Sequence, residues 1–104
     1  MSNMENKGQK IDIELDEKIA EGTYSNLAVI THSHSEFVID FVRLMPGVPK
    51  AKVKSRLIMN PEHAKRLMLA LQDNIRKFEA NNGNIKVDAA PAMPLNFGGP
   101  KGQA

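Results

Sequence analysis

The segment from Met59 to Gly83 constrains the fold most, because it carries the marks of one long helix with both ends defined. Asn60 is placed to cap the unpaired amides of the first turn, and Pro61 occupies the first helical position, where its missing N–H is not needed. Gly83, after Asn81 and Asn82, supplies a residue that can stop a helix by adopting positive φ. At 100° per residue, Ala64, Leu67, Met68, Leu71, Ile75 and Phe78 fall on one narrow stripe. That stripe needs a surface to cover, and the preceding segments read as the strands that would supply it.

Four runs alternate in hydrophobicity. Ile11, Ile13 and Leu15 alternate with Asp12, Glu14 and Asp16, the pattern of a half-buried strand with an acidic outer face. After a break at Gly22 and Thr23, Tyr24 to Thr31 reads as a second strand. His32, Ser33, His34 and Ser35 form a polar connection suited to a hairpin. Glu36 to Leu44 reads as a third strand, with Phe37, Ile39 and Phe41 on one face and Val38, Asp40, Val42 and Leu44 on the other. Apolar residues on both faces predict a central strand. Pro46 and Gly47 mark a turn, and Ala51, Val53, Ser55, Leu57 and Met59 then alternate with Lys50, Lys52, Lys54, Arg56 and Ile58.

The expected fold is therefore α+β: a four-stranded antiparallel meander followed by one long C-terminal helix packed on one sheet face. One helix is too narrow to cover both faces of such a sheet, and Leu69 lies roughly opposite the helix stripe. Both observations predict a homodimer. Residues 1–10 are polar and without period and read as a disordered arm. Residues 11–88 form a single domain, and the Pro/Gly/Ala-rich stretch 89–104 reads as a disordered tail.

The chain has 104 residues and no cysteine, which removes disulfides, thiolate nucleophiles and Cys-ligated zinc together. No run approaches the ~20 apolar residues of a membrane span, and no apolar run marks a signal peptide, so a cytoplasmic, membrane-free location is expected. Net charge is only +2, but it is unevenly spread. Between Arg43 and Lys77 nine basic residues stand against Glu62 and Asp73, whereas Ile11 to Glu21 is strongly acidic.

The basic strand is the leading candidate site. Lys50, Lys52, Lys54 and Arg56 would project from one side about 6.6 Å apart, close to the phosphate spacing along a nucleic-acid strand. Lys65 and Arg66 on the helix would extend the patch. The plainer reading is a solvated edge strand whose lysines oppose aggregation. Stacking aromatics are scarce: only Tyr24 and Phe97 are placed to serve, with Phe37, Phe41 and Phe78 expected in the core.

The remaining candidates carry less. His32, His34 and His63 could hold zinc only if the fold brought them together, and no fourth ligand is evident, so turn and cap roles are expected and no metal or other cofactor is assigned. Asp40, flanked by Phe37, Val38, Ile39, Phe41 and Val42, reads as a buried acid paired with Arg43 or Arg56, a structural pair. In the tail, Leu95 and Phe97 lie in a proline-rich segment of the kind that orders on meeting a partner. No serine has a nucleophile-elbow setting, and no catalytic residue is assigned.

Taken together, Glu21-Gly22-Thr23-Tyr24-Ser25-Asn26, then His32-Ser33, Glu36-Phe37, Asp40-Phe41 and Pro46-Gly47, and finally the run from Ile58 to Leu67 resemble a family of short prokaryotic proteins catalogued as a domain of unknown function, number 3467. The resemblance runs from about Ile11 to Ile85. It implies no catalytic residues. It implies an association with transcription, through genes beside those for RNA polymerase large subunits. The four-strand-plus-helix topology is also similar to the Whirly and transcriptional-coactivator fold that binds single-stranded nucleic acid, an analogy of fold alone. The expectation is thus a non-enzymatic, dimeric accessory protein that meets RNA polymerase, nucleic acid or both through the basic strand. The alternative is a protein–protein adaptor without nucleic-acid contact, acting through the sheet face and the tail.

Overall fold

A computed structural model describes residues 10–88. It contains, in order, a one-turn helix α1 (Glu17–Ala20), strands β1 (Leu27–His32), β2 (Phe37–Val42) and β3 (Val53–Met59), and the helix α2 (Pro61–Asn82). The three strands form one antiparallel sheet in the order β1-β2-β3, so the strand with apolar residues on both faces is the central one, as expected. Phe37 pairs with His32 on one side and Met59 on the other, which fixes the register of both ladders.

The β1–β2 connection is held by Ser33. Its backbone N–H donates to the Glu36 carbonyl at 2.9 Å, and its hydroxyl accepts from the amides of Ser35 and Glu36. Short hydroxyl side chains stabilise turns by this kind of local bond. At the other end of the hairpin Asn26 extends the pairing with its side chain. Its amide nitrogen donates to the Leu44 carbonyl, and its oxygen accepts from the Leu44 N–H at 2.7 Å. Gly47 turns the chain toward β3 at φ +79°, a conformation few other residues adopt readily.

Four strands were expected and the sheet has three among the described residues. Ile11, Ile13 and Leu15 alternate with acids but pair with no neighbour, and they stand 57%, 74% and 69% exposed. Alternation specifies which side chains share a face; it does not supply a strand to bond with. The local chemistry that follows is helical instead: Asp16 accepts from the Lys18 N–H at 3.2 Å and caps the turn Glu17–Ala20.

The ends of α2 are formed as the sequence indicates. Asn60 accepts from the His63 N–H at 2.7 Å, Pro61 stands in the first turn, and Gly83 closes the helix at φ +87° with its N–H on the Glu79 carbonyl. The expected packing of α2 on the sheet is not present, for no residue of α2 is buried. Leu67, Met68, Leu71, Ile75 and Phe78 keep between 39% and 57% of their surface. Only Asn60 separates β3 from α2, and a one-residue link gives little room for a helix to turn back over its own sheet. The buried apolar core is correspondingly small: Ile39, Val42 and Met59. Among the described residues no helix is long and apolar enough to cross a membrane.

Candidate nucleic-acid interface

The four basic residues of the expected strand occupy three different environments. Lys50 and Lys52 lie on the approach to β3, before its first residue, Val53. Lys54 falls where the ladder slips: Phe41 pairs with Ser55 and Val42 with Val53, leaving Lys54 without a partner on β2. Such a bulge breaks strict alternation. Val53 consequently shares a face with Val42 and Asp40, whereas simple alternation puts it on the opposite face from Arg56. Lys50, Lys52 and Lys54 are exposed and make no ion pair among the described residues.

Arg56 is committed elsewhere. It sits directly across from Asp40, and its guanidinium donates through Nε to Oδ1 at 2.6 Å and through Nη2 to Oδ2 at 2.8 Å. This two-point geometry is the strong form of a charge-assisted bond. Asp40 itself is 3% exposed, the one buried charged residue of the described chain. The hydrogen bond from Arg56 holds the Asp40 carboxyl below its ordinary pKa, with burial pulling the other way and the Arg56 charge adding to the lowering. The same bond raises Arg56 above its ordinary value. The pair is therefore ionised at any physiological pH and pins β2 to β3. Of the two arginines that the sequence offered to Asp40, Arg43 instead lies toward the Tyr24 ring, its guanidinium carbon 6.0 Å from the ring centre.

On the helix the same sorting applies. Arg66 is paired with Glu62 one turn earlier, while Lys65 has no ion-pair partner among the described residues. The free cations among the candidate residues are thus Lys50, Lys52 and Lys54 before and in β3 and Lys65 on α2. From Phe41 to Pro61 the chain carries no acid at all, so the positive field along that stretch is offset only by Asp40 at its edge.

Beside the bulge, an open cleft of about 500 Å³ is lined by Thr23, Tyr24, Ser25, Phe41 and Ser55. Ser55 and Phe41 face each other across β2–β3, and Tyr24 and Ser25 arrive from the segment before β1. Tyr24 is 68% exposed, so an aromatic ring at the cleft, with the Arg43 guanidinium over it, reaches solvent. None of the three phenylalanines expected in the core is fully buried: Phe37 and Phe41 are half-buried, Phe41 at the border of this cleft, and Phe78 is 51% exposed.

The histidines remain apart from this surface. His32 stacks on Phe37 with ring centres 5.3 Å apart, His34 is exposed in the hairpin turn, and the His63 backbone serves the helix cap. Among the described residues no three His, Asp or Glu side chains gather as a metal site would require. Leu95 and Phe97 lie outside the described residues. Asn26 escaped sequence reasoning; the signal available was an Asn directly at a strand entrance, where its side-chain amide can imitate a backbone pair.

Comparison with known protein families is decisive on one point. The model of a family described as a protein of unknown function, DUF3467, matches residues 1–87. The chain belongs to this family. No curated protein and no solved structure matches it. The matched span takes in the whole sheet, the Asp40–Arg56 pair, the free lysines and all of α2. It leaves out Leu95 and Phe97.

Proposed function

We propose that this family member is a non-enzymatic, homodimeric accessory protein of the transcription apparatus, whose basic approach to β3 contacts nucleic acid. The observation that carries this reading is the set of exposed, unpaired lysines, Lys50, Lys52 and Lys54, in a stretch free of acids. Lysines without internal partners are available to phosphates, and contacts of this kind are sequence-independent and salt-sensitive. The exposed Tyr24 at the neighbouring cleft adds one surface on which a base can stack. Arg56 takes no direct part, being held by Asp40. The link to transcription comes from the family resemblance, and the dimer from the uncovered stripe of α2 together with the small monomer core.

The test is a titration of labelled single-stranded DNA and RNA oligonucleotides by fluorescence anisotropy over a range of salt. Three lysine–phosphate contacts give a slope of log K against log salt of about −2. The double variant K52E/K54E should bind more weakly and flatten that slope, with its fold intact because both side chains are free. Equal binding by the variant would remove this surface from the site. No binding of either strand at low salt would leave a protein partner as the target, and purification from native extract with and without nuclease would then show whether RNA polymerase is retained.

A further inference from the structure

The stripe of α2 has flanks as well as a centre, and the flanks carry a charge pattern that the chain leaves unused. Ala64, Met68, Leu71, Ile75 and Phe78 are spaced four, three, four and three residues apart, the repeat of a helix that pairs with another helix along a seam. Along one side of the seam run Lys65, Gln72 and Glu79, seven residues apart. The two ion pairs within α2, Glu62–Arg66 and Asp73–Lys77, lie on the opposite face. Lys65 and Glu79, next to the seam, have no ion-pair partner among the described residues. Glu79 accepts only the Ile85 N–H, at 2.9 Å through one carboxylate oxygen, so its other oxygen is free.

We infer that α2 pairs with α2 of a second copy in antiparallel orientation, with Lys65 of each chain meeting Glu79 of the other. This rests on the homodimer reading above and gives it a geometry. In the antiparallel arrangement Met68 packs opposite Phe78 of the partner subunit, and Leu71 packs opposite Ile75 of the partner subunit. In that same register Gln72 faces its own copy, and the Lys65–Glu79 contact forms twice by symmetry. A parallel pair uses the apolar seam equally well but sets Lys65 against Asn60 of the partner subunit and Glu79 against Asn74 of the partner subunit. No charge is then matched. The apolar seam selects a helix partner; the flanking charges select its direction.

The area agrees with a modest dimer. Leu67, Met68, Leu71, Ile75 and Phe78 together expose about 400 Å² per copy, or about 800 Å² for the pair, and the stems of Lys65, Gln72 and Glu79 bring this toward the roughly 1,200 Å² at the low end of stable interfaces. Nothing else among the described residues covers these side chains.

Sedimentation equilibrium on the full chain tests the charges. K65E and E79K should each weaken the dimer about 10- to 50-fold, since each turns both symmetric pairs repulsive, and the swap K65E/E79K should restore it. Crosslinking tests the direction without relying on charge, helped by the absence of any native cysteine. With a short bismaleimide, a mixture of A64C and N82C chains should link to each other, and A64C alone should not. In the antiparallel pair the two copies of position 64 lie about 27 Å apart. Efficient linking of A64C alone, or a dimer unmoved by K65E and E79K, would overturn the antiparallel pairing while the homodimer stands. A chain that stays monomeric at every concentration would bring down the homodimer reading itself.

Discussion

The Asp40–Arg56 pair is asymmetric, and the asymmetry can be measured. The Asp40 side chain is 5% exposed and the Arg56 side chain 61%. Deleting Asp40 leaves a guanidinium that turns to water. Deleting Arg56 leaves a carboxylate enclosed on the sheet with neither of its two donors. A buried charged acceptor deprived of its bonds destabilises by about 2–3 kcal/mol, whereas replacing a buried acid by an apolar residue of similar size stays within about 1 kcal/mol of neutral. R56M should therefore lower stability well beyond D40V, although Arg56 is the more exposed partner.

The pH dependence separates this account from a loss of packing. In the wild-type chain Asp40 has its pKa lowered on folding, so the pair's contribution is present above the unfolded carboxylate value near 4 and is lost as pH falls through the folded value. In R56M the lowering influence is gone and burial alone raises the pKa. The penalty in the variant then applies at neutral pH and vanishes below about 4, where Asp40 is protonated in both states. Urea denaturation followed by far-UV circular dichroism, at equal protomer concentrations, should show the gap between wild type and R56M closing from pH 7 to pH 3.5. A gap constant across that range, or D40V less stable than R56M at pH 7, would refute the reasoning.

Substitutions at three further positions test local features. Asn26→Ala removes both bonds to Leu44 and should cost about 1 kcal/mol, with faster hydrogen exchange at the Leu44 amide as the readout. Gly83→Ala should cost about 1–2 kcal/mol from positive φ alone, because a Cβ there meets nothing within 4 Å, and an unchanged thermal midpoint would argue against that backbone conformation. Asn60→Ala should lower stability by about 1 kcal/mol by uncapping α2, and Asn60→Asp should retain most of it.

How far the fold could be read from the chain depended on whether the deciding interaction was local. The cap of α2 is made by a residue three positions from its partner, and its stop by a glycine four positions from the carbonyl it uses. Both were visible in Asn60-Pro61 and Asn82-Gly83. The central position of β2 was legible for a related reason: only a strand flanked on both sides can bury both Ile39 and Asp40. Ile11 to Leu15 fails where β1 succeeds because a strand is completed by a neighbour, and alternation contains no information about whether one exists. The position of α2 failed for the opposite reason. Its stripe announced one apolar helix face, which α2 has, and could not announce that the sheet of the same chain leaves that face exposed.

The candidate surface shows the same division at the level of single charges. Six basic residues were put forward together, and sequence treats them as equivalent. The fold divides them by what stands opposite: Asp40 across the ladder takes Arg56, Glu62 one turn back takes Arg66, and Lys50, Lys52, Lys54 and Lys65 are left free. A cation already bonded to a carboxylate has part of its charge offset before it meets a phosphate, so the paired arginines are weaker candidates for recognition than the free lysines. The slip between Phe41 and Val42 is what releases Lys54 from the ladder, and no periodicity announces a slip. The free lysines then separate by location, with Lys50, Lys52 and Lys54 at the sheet and Lys65 beside the α2 seam. That separation leaves two distinct sets of free charges on one small chain.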